Sequence, residues 1–125
     1  MSTTAKGIQV LVVDDDAAHR RFLTRGLSLE GYRVESCDSG ASGLACAEHS
    51  APDVLLLDIM MPDIDGLAVA EAMKRAGSRV PIVFLSGSDE PELRAQVAQL
   101  GAPLLVKPVD FEELLAHLPS VAVTH

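Results

Sequence analysis

The stretch VLLLDIMMPDIDG, residues 54–66, runs four apolar residues into an aspartate. Asp58 is followed by Ile59, Met60, Met61 and Pro62, so a carboxylate stands at the tip of the greasiest segment of the chain. A charge at the rim of a core is costly unless it is partnered, and the rest of the sequence has to supply the partners. Short runs of Val, Ile and Leu without polar alternation read as strands buried on both faces. Besides DVLLL (53–57), three such runs stand out: IQVLVV (8–13), PIVFL (81–85) and PLLV (103–106); a weaker one is YRVES (32–36).

Helix-sized segments lie between the runs. Residues 16–30 are expected to place Phe22, Leu23, Leu27 and Leu29 on one side, with Asp16 as N-cap and Gly31 closing the helix. Residues 66–76 follow Asp65 as N-cap and stop at Gly77; residues 90–100 carry Leu93, Val97 and Leu100 at i, i+4, i+7 and end at Gly101. Asp110 with Glu113 has capping-box spacing, and Phe111, Leu114, Leu115 and Leu118 give the last helix an apolar stripe that Pro119 ends. Residues 39–49 are the poorest helix, because each of two glycines weakens it by about 1 kcal/mol. Strand–helix alternation five times over predicts an α/β fold: a doubly wound, five-stranded parallel sheet with helices on both faces.

In such sheets ligands sit beyond the carboxyl ends of the strands. Reactive groups should therefore follow strands, and they do. Asp14, Asp15 and Asp16 follow the first, Asp58 the third, Ser86 the fourth and Lys107 the fifth. Two carboxylates about 5 Å apart repel by roughly 3 kcal/mol at an effective dielectric near 20, so the cluster must take up protons or recruit a cation. Hard oxygen donors suit Mg²⁺, Lys107 offers a point charge for an anion, and Ser86 offers a hydroxyl. Asp58 is then placed to act as a nucleophile in phosphoryl transfer, where positioning and charge neutralisation do most of the work.

Composition excludes other classes. A chain of 125 residues, 48% hydrophobic, fits one ordinary domain with a real core. Ten basic against eighteen acidic residues give a net charge of −8, which disfavours direct binding to nucleic acid. Four aromatics, Phe22, Tyr32, Phe84 and Phe111, make no base-stacking platform. No run approaches the ~20 apolar residues of a membrane span, and MSTTAKGIQVLVVDDD lacks the features of a signal peptide. Cys37 and Cys46 fit neither a disulfide framework nor a zinc site and read as small core hydrophobes. A cytoplasmic location and no membrane partner are expected.

With these residues in view, VLVVDDD, LLLDIMMPDIDG, IVFLSG and LVKPV together resemble the four signature segments of the response-regulator receiver domain of two-component signalling, a CheY-like superfamily. The resemblance covers about residues 8–118, leaving 1–7 and 119–125 as tails, and its most specific element is Asp58, Met61, Pro62, Asp65 and Gly66. It implies a flavodoxin-like (βα)5 fold with strand order 2-1-3-4-5. It further implies that Asp58 is the phosphoacceptor, taking a phosphoryl group from a histidine kinase or histidine phosphotransfer protein. Mg²⁺ would be held by Asp15, Asp58 and the backbone carbonyl of Met60, with Asp14 acting mainly through water. Ser86 matches the switch hydroxyl and Lys107 the phosphate-contacting lysine, and the Lys107–Pro108 bond is expected to be cis. Met60 and Ser88 occupy positions that tune dephosphorylation in the family. Such a domain is not an enzyme on other molecules; it acts only on its own aspartate. It reports to a downstream protein or output domain.

Two departures stand out. Leu104 occupies a site where the family usually has an aromatic ring, and GAPLLVK is one residue short between Gly101 and Lys107, with Pro103 tightening the start of the fifth strand. An altered output surface is expected. A receiver-fold interaction module without phosphorylation is the competing reading. A haloacid-dehalogenase-type hydrolase fits poorly, because Met60 stands where its second aspartate would be and the chain has no room for a cap domain. Among the histidines, His19 lies near the acidic pocket, whereas His49, His117 and His125 read as exposed ends; none is expected to donate phosphate.

Overall fold

The computed structural model describes residues 7–119. The segments read as tails, 1–7 and 119–125, lie outside that range apart from Gly7 and Pro119. Five strands, β1 (Gln9–Val13), β2 (Arg33–Cys37), β3 (Val54–Asp58), β4 (Ile82–Ser86) and β5 (Leu104–Val106), alternate with five helices. These are α1 (Ala17–Leu29), α2 (Gly40–Ser50), α3 (Gly66–Arg75), α4 (Pro91–Gln99) and α5 (Phe111–Ala116). The sheet is parallel throughout, in the order β2-β1-β3-β4-β5.

Side chains alternate across a strand, and the two cores follow from that. Val10, Val12, Leu56, Leu85 and Leu105 pack with Leu23 and Leu27 of α1 and Leu114 of α5 on one face. Leu11, Val13, Leu55, Leu57 and Phe84 pack with Ala47 of α2, Val69 and Met73 of α3 and Val97 of α4 on the other. The apolar runs show no polar alternation because both faces are covered. No helix among the described residues is long and apolar enough to cross a membrane.

Three expectations need correction. Phe22 and Leu29 do not join the core: they are 48% and 82% exposed, while Leu23 and Leu27, an i, i+4 pair, are fully buried. Positions 22 and 29 lie seven residues apart on an adjacent stripe, so α1 buries a narrower face than its apolar content suggests. The glycines of α2 are a packing requirement as well as a weakness. A Cβ on Gly43 would sit 2.8 Å from a methyl of Val13, so glycine lets α2 lie close against β1. The last helix stops at Ala116, where His117 and Leu118 turn their N–H groups to the carbonyls of Leu114 and Leu115. Leu118 still reaches the core from beyond the helix.

The caps fall where the sequence puts them. Asp16 accepts from the N–H groups of Ala18 and His19, Asp65 from Ala68, and Asp110 from Glu112 and Glu113. Gly31, Gly77 and Gly101 leave their helices at φ +102°, +87° and +72°, where an L side chain is strained. Pro103 extends the fifth strand backwards by accepting the N–H of Phe84 at 2.9 Å, and the Lys107–Pro108 bond is cis.

Candidate functional site

Asp58 and Ser86 are the last residues of β3 and β4 rather than the first beyond them. Each pairs across the sheet, Asp58 with Leu85 and Ser86 with Val106. The ladder runs one bond further still. Asp14 N–H donates to Cys37 C=O at 3.1 Å, Ile59 N–H to Leu85 C=O at 2.9 Å and Lys107 N–H to Ser86 C=O at 2.7 Å. The polar side chains are thus carried on backbone that the sheet fixes, at the carboxyl edge where a ligand of an open α/β sheet sits.

Asp14, Asp58 and Ser86 are the buried polar residues among those described, and Asp15 beside them is exposed. Oxygens of Asp14, Asp15 and Asp58 lie within 4.8 Å of one another, an arrangement that can hold a metal ion. Lys107 reaches across the edge from beyond β5. Its Nζ donates to Asp58 Oδ2 at 3.1 Å and lies 3.3 Å from Asp14 Oδ2. Asp58 Oδ1 accepts the N–H of Met60 at 3.2 Å, and the Met60 side chain points to solvent, 69% exposed. Ser86 Oγ accepts the N–H of Ser88 at 3.0 Å, which leaves its hydroxyl hydrogen available to donate.

The two buried carboxylates are set apart by their surroundings. Burial pushes Asp58 up to about 6, with the Asp14 charge adding to the shift and Lys107 and the Met60 N–H opposing it. For Asp14 burial also raises, but its bonds to His19, to the Asp16 N–H and to Lys107 outweigh that and hold it below the usual carboxylate range. Lys107 is held above its usual value: desolvation lowers it, and the Asp58 and Asp14 carboxylates more than compensate. One cation beside three carboxylates leaves negative charge to neutralise. Hard, anionic oxygens at this spacing are the donor set a small divalent cation takes.

Three contributors add to the predicted set; His19 was expected near the pocket, whereas Arg20 and Asp63 were not evident in the sequence. His19 Nδ1 pairs with Asp14 Oδ2 at 2.5 Å, and its Nε2 is buried without a protein partner among the described residues. Arg20 donates from its guanidinium to the Asp14 carbonyl at 2.7 Å. Asp63 accepts the N–H groups of Gly40 and Ala41 and is held below the usual carboxylate range by those bonds, tying the loop after β3 to the start of α2. The α1 spacing placed His19 near the pocket; nothing local marks Asp63, whose partners lie more than twenty residues upstream. Gly66 does carry a signal. A Cβ there would fall 2.4 Å from the Asp58 carbonyl oxygen, so the first residue of α3 has to be glycine for the helix to start against β3. Asp16 caps α1 and takes no place in the cluster, and Leu104 is half-buried against the Phe84 side of the core.

A parallel sheet in this order with an acid cluster and a lysine at its carboxyl edge defines a class of signalling domain. A family model for the response regulator receiver domain matches residues 10–119, and the chain belongs to that family. It is 41% identical over 112 residues to the response regulator MprA of Mycobacterium ulcerans (strain Agy99), covering 89% of this chain and 48% of that protein. It is 34% identical over 111 residues to the transcriptional regulatory protein PcoR of Escherichia coli, covering 88% and 49%. The chain thus spans about half the length of these curated relatives. Among solved structures, the receiver domain of the Francisella response regulator 1452 superposes with a TM-score of 0.83 at 26% identity, covering 87% of this chain and 91% of that one. The Vibrio cholerae chemotaxis protein CheY4 superposes with a TM-score of 0.81 at 32% identity, covering 87% and 93%.

Proposed function

We infer that residues 8–118 form a phosphoacceptor unit that takes a phosphoryl group onto Asp58 from a phosphohistidine on a histidine kinase or phosphotransfer protein. The observation that carries this reading is Lys107 Nζ bridging Asp58 and Asp14, with the three carboxylates gathered within 4.8 Å. An Asp58 oxygen attacks phosphorus as the P–N bond breaks and the imidazole leaves. The Lys107 ammonium bonded to Asp58 Oδ2 favours the ionised carboxylate that attacks, against the burial that raises its pKa. Lys107 and Ser86 then bond the phosphoryl oxygens. Asp15, Asp58 and the Met60 carbonyl would hold Mg²⁺, with Asp14 acting mainly through water. Such an ion would supply positive charge to offset the charge that develops in the transfer.

The unit modifies only itself. Its partners are the phosphate donor and a downstream protein or output domain, which the longer relatives suggest as a second region. PcoR is by name a transcriptional regulator, so DNA would be reached through such a region; the net charge of −8 argues against direct contact by this one. A cytoplasmic location is part of this reading. Because Leu104 lacks a ring, the signal would leave by an altered surface formed by α4, β5 and α5. The test is intact-protein mass after incubation with acetyl phosphate. A single phosphoryl adduct that requires Mg²⁺ and disappears in Asp58→Asn is expected. Absence of the adduct in folded protein, with both acetyl phosphate and a phosphohistidine donor, would favour an interaction module.

A further inference from the structure

Away from the acidic pocket, two other reactive side chains meet. Cys37 ends β2 and Cys46 lies in the second half of α2, and the two free thiols stand with their Sγ atoms 2.7 Å apart. The sulfurs are thus already in contact, and oxidation of the pair would take them from contact to a disulfide bond of about 2.0 Å. The two sulfurs meet where α2 packs against the end of β2. The environment is also unequal: Cys37 is buried and Cys46 half-buried.

We propose that Cys37 and Cys46 form a reversible dithiol–disulfide pair that hydroperoxides oxidise. The Cys46 sulfur attacks one peroxide oxygen, the O–O bond breaks, and the departing oxygen leaves as water with the thiol proton. Cys46 is then a sulfenic acid. The Cys37 sulfur attacks the Cys46 sulfur, the S–OH bond breaks, and the hydroxide takes the Cys37 proton as a second water. Two thiols have lost two electrons, and one hydrogen peroxide has become two waters. Exposure sets this order, and burial, which together with the Cys46 contact pushes the Cys37 thiol up to about 12, keeps Cys37 from reacting first. Disulfides in reducing compartments are typically transient and redox-sensing, and a small thiol would restore this pair. Bond formation does not depend on whether Asp58 takes phosphate. It would nevertheless tie α2 to the residue whose carbonyl holds the Asp14 N–H.

The test treats the whole reduced chain with a few equivalents of hydrogen peroxide, blocks remaining thiols with N-ethylmaleimide, and reads intact mass and a non-reducing peptide map. A mass lower by two hydrogens, both thiols lost together, a peptide joining residues 37 and 46, and reversal by dithiothreitol are expected. In Cys37→Ser, Cys46 should stop at a sulfenic acid that dimedone traps; in Cys46→Ser, Cys37 should stay reduced through the same exposure. Cross-linked dimers, separate uptake of two or three oxygens on each sulfur, or two thiols still free after treatment would overturn the proposal.

Discussion

At the β1–β3 end of the carboxyl edge, polar groups are tied to backbone from several directions. Asp14 receives His19, Lys107 and the Asp16 N–H, its carbonyl receives Arg20, and its own N–H is held by Cys37. At the β5 end the strand has three residues, its helix six, and Leu104 fills a half-buried position with an alkyl side chain. One end is built to hold charge in fixed geometry and the other is lightly braced. A phosphoacceptor needs the first property, because pre-organised donors lower a charged barrier. A reporting surface needs the second, because a small free-energy input must move it.

Lys107 joins the two ends, so its removal should have the largest effect. Lys107→Ala is expected to slow adduct formation from acetyl phosphate by about 100-fold, the cost of losing one pre-organised donor, measured as the rate of mass gain. A rate within a few-fold of the unmodified chain would separate the lysine from the chemistry.

A pair of glycines compares a close approach at the carboxyl edge with an open turn before β5. Gly66→Ala drives a Cβ to 2.4 Å from the Asp58 carbonyl oxygen and should cost about 3 kcal/mol in a denaturant melt. Gly101→Ala meets nothing within 4 Å and pays only for φ +72°, about 1 kcal/mol. Equal costs would mean that the close approach of α3 to β3 at Gly66 relaxes freely.

The pH dependence sharpens the electrostatic side. Asp58 is raised in the folded state from 3.8 to about 6, so folding favours its neutral form. The stability this contributes is present below about pH 4 and is lost as pH rises through about 6, at most ~3 kcal/mol by the two-unit shift. Asp14 has the opposite sign: lowered in the folded state, it contributes stability at neutral pH that is lost on acidification below the carboxylate range. Between pH 5 and 7.5 without divalent cation, the melting temperature of the unmodified chain should therefore fall relative to Asp58→Asn. Millimolar Mg²⁺ should remove that difference, the cation taking the place of the proton. A difference that does not change with pH would contradict the assignment.

The smallest effect belongs at the lightly braced end. Leu104→Phe should change stability by no more than about 1 kcal/mol and leave adduct formation within twofold. Exchange broadening of β5 and α4 amide resonances on phosphorylation should nonetheless differ from the unmodified chain. A large change in the adduct rate would mean that the two ends are not separable.

The sequence disclosed the strongly determined parts and missed the long-range ones. Apolar runs without alternation marked four strands because both faces of the sheet are covered there, the edge strand β2 with Arg33 and Ser36 exposed showed only weakly, and Asp16, Asp65 and Asp110 marked helix starts because capping is local. Asp58, Ser86 and Lys107 could be brought together because strand ends share an edge. Asp63 gripping the start of α2 could not be read, since its partners are remote in sequence. Neither could the exposure of Phe22: it stacks on His19 and meets Phe111 edge-on, a surface arrangement that periodicity alone assigns to the core.

The central claim is that Asp58 itself carries the phosphoryl group. It is tested most directly by reducing the Mg²⁺-dependent adduct with borohydride, which converts an acyl phosphate on aspartate to homoserine, and mapping the peptides. Homoserine at position 58 is the predicted result. A label on Asp14 or Asp15, or an acid-labile adduct on His19 or His49 that borohydride leaves intact, would contradict it.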